Sequence, residues 1–162
     1  MQEREGIMLR KVQNAKEVWG EVDQILSKWL LERRDLITAY CTLINDKHTC
    51  GGANRELEQF CEVLMDYLSA GHFEIFTELE FEARTFDARG IQLVKALYPY
   101  LEQSTEIALG FNDRCDQLRE SDADFSQIRA ELSYLGECLT DRFELEDQLI
   151  EYVHTANAEL CH

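Results

Sequence analysis

Apolar residues recur at Leu57, Cys61, Leu64, Leu68, Ile75, Leu79 and Phe86, in steps of three, four or seven. That period marks one face of a long helix turned into a core. Gly71 falls on the same seam, where a missing side chain lets a neighbouring helix approach closely. The opposite face carries Glu62, Asp66, Ser69, Phe73, Thr77 and Glu80. Phe73 lies two residues from Ile75, about 200° around the helix, and is expected to point outward. Its neighbourhood is acidic: from Glu56 to Ala83 there are eight Asp or Glu and no Lys or Arg. A large aromatic on an acidic outer face suits docking by a basic partner.

The charge balance extends that reading. The chain has 162 residues, with 16 Lys and Arg against 32 Asp and Glu, a net charge of −16. Residues 1–35 are balanced at seven of each sign, so the excess lies in residues 36–162. Such a surface repels nucleic acid and anionic lipid, and basic proteins are its natural partners. The plainer reading is a generic acidic, soluble surface. With 45% hydrophobic residues the chain buries a full core and is no disordered tail.

Cysteines stand at 41, 50, 61, 115, 138 and 161, with no Cys-x-x-Cys. Cys61 falls on a seam, and Cys41 and Cys138 lie beside theirs, as small core hydrophobes do. This reads as a cytoplasmic protein with free thiols. No apolar run approaches the ~18–20 residues of a membrane span.

Taken in order, residues 1–14 show no apolar period and are expected to fray, with Met8 an alternative start. Residues 15–162 then read as one helical domain. Val18, Val22, Ile25, Trp29, Leu36, Tyr40 and Leu43 outline a first helix to about Ile44. Asn45 to Ala53 is a loop, and Asn54 an expected N-cap. The second helix runs to about Phe86, with a bend near Gly71. Asp87 caps a third, seamed by Ile91, Val94, Leu97, Leu101, Ala108, Phe111 or Asn112, and Cys115. Pro99 sits inside it and is expected to kink it rather than end it. After Ser121 to Asp124 the fourth seam reads Ile128, Leu132, Leu135, Leu139, Leu149, Val153, Ala156 and Leu160. With no strand-like alternation, the fold class is all-α: an antiparallel up-down-up-down four-helix bundle.

Polar residues interrupt these seams. The fourth helix's steps put Arg142 and Glu146 on the core side, and the first helix's steps put Arg33 there. His72 flanks the second seam. Buried charge is costly unless paired, so these four read as a partly buried structural network that fixes the bundle's register. The alternative is that both arginines reach the edge with their stems packed.

Catalytic and metal chemistry find little support. Glu151 to His154 is a Glu-x-x-His, whereas a di-iron bundle needs that motif on each of two helices plus one Glu from each of the others. Ser69 stands where His72 would need its Glu. No zinc spacing, Gly-x-Ser-x-Gly, P-loop or GxGxxG is present. The expectation is a binding protein with no cofactor and no metal, not an enzyme.

Asp66 to Phe76, DYLSAGHFEIF, resembles the signature of the Rsd/AlgQ family of bacterial anti-sigma regulators. Trp29 to Cys41, WLLERRDLITAYC, resembles the family's first-helix motif and includes Leu31, counted here with the candidate contacts. LYPYLE (97–102), FNDRCD (111–116) and RFELEDQLIE (142–151) match later blocks in the same order. The resemblance spans Trp19 to about Asn157 and is closer to the AlgQ branch. It implies an all-helical protein that binds the C-terminal, fourth domain of the primary sigma factor of RNA polymerase. That domain carries a basic helix-turn-helix, and sequestering it favours alternative sigma factors. AlgQ-like members are also linked to alginate and other secreted products. The candidate contacts are Leu31 and, on the acidic outer face, Glu62, Asp66, Ser69, Phe73 and Thr77, of which Asp66 and Phe73 also fall in the family block; they would act as a steric block without covalent chemistry. The alternatives are an acidic helical adaptor for another cytosolic regulator, such as a phosphocarrier protein, and a helical di-iron-type protein.

Overall fold

The computed structural model describes residues 2–45, 52–69, 77, 81, 88–120 and 125–161. Four long helices account for nearly all of them. They are α1 (Gln2–Asn45), α2 (Gly52–Ser69), α3 (Ala88–Glu120) and α4 (Phe125–Cys161). Thr77 and Phe81 are also helical, and no strand occurs among the described residues. Among the described residues the chain is all-α, with four long helices.

The seams become the core. On α4, Ile128, Leu132, Leu135, Leu139, Leu149 and Val153 are all buried. On α3 the buried set is Val94, Leu97, Leu101, Ala108, Phe111 and Cys115, which decides for Phe111 over Asn112. Leu26, Trp29, Leu36 and Leu43 are buried on α1, and Leu57, Cys61, Leu64 and Leu68 on α2. The α2 face is wider than a single seam, because Phe60 and Tyr67 are wholly buried too. Both lie three residues after a seam position, the other near neighbour on a helix surface. Truncating a leucine in such a core costs about 2–5 kcal/mol.

α1 packs on α2 and α4, and α3 packs on α2 and α4, closing a ring around that core. Aromatic contacts hold the ring's inner side. Trp29 stacks on Tyr67 with centroids 5.6 Å apart, and the edge of Tyr67 meets Phe143 at 5.8 Å. Phe60 touches Tyr40 at 5.9 Å and Phe111 at 6.0 Å, so it joins three helices. The pairs run in opposite senses: 29 with 67 but 40 with 60 across α1 and α2.

Several boundaries differ from the sequence reading. α1 begins at Gln2, far ahead of Val18, because Gln, Glu, Arg and Lys are good helix formers even where no apolar period exists. α2 begins at Gly52, so Asn54 lies inside the helix instead of capping it. The expected bend near Gly71 and the caps at Asp87 and Ser121 to Asp124 lie outside the described residues. α3 continues through Pro99, which is exposed on its solvent side. Cys41 is exposed, a correction: it follows Tyr40 by about 100° of helix rotation, which turns it away from the core. Cys61 and Cys115 are buried and Cys138 half-buried.

Candidate functional site

A polar cluster sits in the core and touches all four helices. Glu146 and Arg142 are one turn apart on α4, both buried, and Arg142 Nε donates to Glu146 Oε1 at 2.8 Å. The second carboxylate oxygen, Oε2, accepts from Arg33 Nη2 of α1 at 2.8 Å and from the Tyr67 hydroxyl of α2. Arg33 Nη1 reaches outward to Asp147 Oδ1 at 2.7 Å. On the α3 side, Arg142 Nη1 faces the Leu101 carbonyl at 3.1 Å, Ser104 Oγ at 2.9 Å and Thr105 Oγ1 at 2.6 Å.

The charges within this cluster balance: two guanidinium groups face Glu146 and Asp147. A buried charge so paired avoids the several kcal/mol that an isolated one would cost. The Arg33 guanidinium also lies over the Trp29 and Phe143 rings, 5.5 and 4.8 Å from their centroids. Burial works against the Arg33 charge. The Tyr67 hydroxyl, Asp147 and Glu146 outweigh it and raise its pKa above the ordinary value. Burial, and then the Glu146 carboxylate, push the Tyr67 hydroxyl well above the usual tyrosine range. Arg33 and Tyr67 therefore hold their protons firmly at neutral pH. It offers fixed, mutually satisfied groups, with no free nucleophile or base.

Of the four residues assigned to a structural network from sequence, Arg33, Arg142 and Glu146 come together here. His72 lies outside the described residues. Tyr67, Ser104 and Thr105 are members that the sequence reading missed. A buried tyrosine needs a partner for its hydroxyl, so Tyr67 carried the one signal that could have found it.

The outer side of α1 and α2 is a different surface. Glu62, Asp66 and Ser69 are exposed on α2, as is Glu58 a turn earlier. Leu31 is 54% exposed on α1, more than Leu30, Ile37 or Ile44 of the same helix. It lies two residues past Trp29, and Asp66 one before Tyr67, so the stacked pair sets both at one level of the bundle. Beside them, α1 and α2 enclose a shallow groove of about 310 Å³, lined by Asp35, Thr38, Ala39, Glu56 and Val63, among others. Thr77 is exposed, and Phe73 lies outside the described residues.

Glu151 and His154, the Glu-x-x-His pair named above, are exposed on α4. Among the described residues no group of three His, Cys, Asp or Glu is placed to hold a metal ion. Nor is any helix long and apolar enough to cross a membrane.

Comparison with known proteins identifies the family of the chain. Residues 8–154 match the model of the family described as "Regulator of RNA polymerase sigma(70) subunit, Rsd/AlgQ". The chain belongs to the Rsd/AlgQ family. Among curated relatives, the Regulator of sigma D of Yersinia pseudotuberculosis is 33% identical over 150 residues, 90% of this chain and 88% of that protein. That of Yersinia enterocolitica is 32% identical over 149 residues, 90% and 89% of the two chains. The Regulator of sigma D of Pectobacterium atrosepticum is 30% identical over 151 residues, 91% and 99% of the two.

The family match includes every candidate contact from Leu31 to Thr77 and the whole polar cluster. Rsd/AlgQ is a family of sigma-factor regulators, not of enzymes. This agrees with a polar cluster in which Arg33, Tyr67, Arg142 and Glu146 bond to one another.

Proposed function

We propose that this chain binds the C-terminal, fourth domain of the primary sigma factor, and that the outer side of α1 and α2 is the binding face. Leu31, Glu62, Asp66 and Ser69 form the described part of that face. Phe73 and Thr77 extend it along the chain. Holding the domain that reads the upstream promoter element keeps primary sigma from polymerase and favours alternative sigma factors. The link to alginate and other secreted products belongs to the same proposal, as a consequence of that redistribution.

One observation carries the reading: a half-exposed leucine, Leu31, stands level with the exposed carboxylate Asp66 on a protein of net charge −16. A basic helix-turn-helix needs those two things, an apolar anchor point and carboxylates for its Arg and Lys. Long-range attraction speeds the encounter, and burial of the apolar contacts then holds the complex. The effect is steric and requires no cofactor.

The test is binding of the isolated fourth domain of primary sigma to the full chain, measured by calorimetry. Leu31→Ala and Asp66→Ala should each weaken binding about tenfold or more, the mark of an interface anchor. Both residues are exposed, so the denaturant midpoint should stay unchanged. Tight binding retained by the double variant would rule out this face.

A further inference from the structure

α3 and α4 leave a second groove between them, on the pair of helices across the ring from α1 and α2. Its α3 wall runs through Tyr100, Ile107, Gly110 and Arg114. Its α4 wall runs the other way through Leu145, Cys138, Tyr134 and Glu131. Residues 100 to 114 rise about 21 Å along the helix, enough to seat roughly four turns of another helix.

Two features of this groove are unexplained by the fold itself. Tyr100 and Tyr134 are 62% and 55% exposed, with Ile107 and Leu145 half-buried between them. Gly110 lies in the middle of α3, where glycine is less favourable than alanine. A side chain there would meet nothing within 4 Å. Packing inside this chain gives no reason for glycine, whereas close approach by another backbone does.

The charge along the groove identifies the occupant's sign. Glu106, Glu137 and Asp141 line it and make no ion pair with the described residues. Its two cations are engaged: Arg114 with Glu131 at 2.7 Å, and Arg142 with Glu146. A second copy of this chain would bring a further −16 against these carboxylates.

We propose that the α3/α4 groove is a docking site for a basic amphipathic helix of a second protein, separate from the α1/α2 face. The apolar stripe of that helix lies over Ile107, Gly110 and Tyr134. Its Lys and Arg pair with Glu106, Glu137 and Asp141. Because the two faces lie on opposite helix pairs, both can be occupied at once.

The probe is a fluorescent 18-residue peptide with Leu at helical spacing and Lys elsewhere, beside a scrambled peptide of the same composition. Fluorescence anisotropy at physiological salt should show the ordered peptide binding at least tenfold more tightly. Gly110→Leu, which fills the empty space, should weaken it tenfold or more. So should Tyr134→Ser, an exposed position whose change leaves the fold intact if Gly110→Leu does not. Asp66→Ala should alter it less than twofold. Equal affinity for the two peptides, wild-type binding by both groove variants, or loss on Asp66→Ala instead would each overturn the proposal. So would a dimer in sedimentation that Gly110→Leu dissolves, since the groove would then belong to a second copy of the chain.

Discussion

The Tyr67 hydroxyl donates its hydrogen to Glu146 Oε2, joining α2 to α4 through the centre of the core. Arg33 Nη2 donates to the same oxygen from α1. Arg142 holds the other oxygen of that carboxylate and reaches α3. One carboxylate is thus the meeting point of four helices, and sliding any helix by a turn would break its bonds. We propose that this shared acceptor fixes the bundle's register, since an apolar seam alone has no such directional bonds to lose.

Tyr67→Phe isolates one of those bonds. It keeps the ring against Trp29 and Phe143 and removes only the hydroxyl. A hydrogen bond to a charged group contributes about 1.5–3 kcal/mol, so the variant should lose stability in that range. Its pH dependence has a definite sign. The Tyr67 pKa is raised in the fold, first by burial and then by Glu146. Above about pH 10 the unfolded chain's tyrosine loses its proton while the folded one keeps it, so stability falls as pH rises further. Wild type should therefore lose more denaturant stability between pH 8 and pH 11 than Tyr67→Phe does. Equal losses would show that Tyr67 is not the group responsible.

Glu146→Ala and Arg142→Ala should differ in cost. Removing Glu146 strands Arg142 in the core and leaves Arg33 with Asp147 alone, which should cost about 3–5 kcal/mol. Removing Arg142 leaves Glu146 with Arg33 and Tyr67. Ser104 Oγ and Thr105 Oγ1 keep their own bonds to the Leu101 carbonyl, each 2.9 Å. Arg142→Ala should therefore be the milder change. The double variant should cost less than the two singles together. Chemical denaturation of the three proteins checks the order.

Legibility followed the same physics. Arg142 and Glu146 were readable because the α4 steps from Leu139 to Leu149 leave them no other side to face. Arg33 was readable from Trp29 and Leu36 for the same reason. Tyr67 was not, because a single seam through Leu64 and Leu68 ignores the i+3 position beside it. Ser104 and Thr105 join only through the register of α3 against α4, and no period within one helix encodes the offset between two. The start of α1 was missed because helix propensity, not apolar period, carries it back to Gln2. On the outer face, exposure of Glu62, Asp66 and Ser69 followed directly from their phase. Leu31 came only from resemblance to a family motif, since an outward leucine has no period to announce it.

Salt should separate the two contributions to sigma binding. Attraction between an acidic face and a basic domain is screened beyond about 8–10 Å at 0.1–0.15 M salt. The association rate should fall markedly from low to high ionic strength, as measured by stopped flow, while dissociation changes less. Asp66→Ala should flatten the slope, and Leu31→Ala should leave the slope alone but speed dissociation. Phe73→Ala belongs with Leu31→Ala if Phe73 is an anchor: binding weaker by roughly 2 kcal/mol, stability within about 0.5 kcal/mol of wild type. A clear drop in its denaturant midpoint would instead assign Phe73 to the core.

Gly110 of α3 and Gly136 of α4 should respond oppositely to alanine. At Gly110 an added Cβ meets nothing within 4 Å, so Gly110→Ala gains helix propensity and costs no contact. It should raise stability by up to about 1 kcal/mol. At Gly136 the same atom would fall 2.5 Å from Tyr40 Cζ, on the closely packed side of α4 against α1. Tyr40 would have to swing away. That would break its hydroxyl bond to the Leu132 carbonyl, 3.1 Å, and pull its ring off Phe60. Forced shifts of this kind cost about 1–3 kcal/mol, more than the propensity gain, so Gly136→Ala should be destabilising overall. Shortening the obstacle with Tyr40→Leu should recover part of that loss in the double variant, which overpacking predicts and a pure backbone effect does not. Thermal melts of the four proteins decide it. A stabilised Gly136→Ala would mean that Tyr40 leaves its site at little cost and contributes little to the α1–α4 contact.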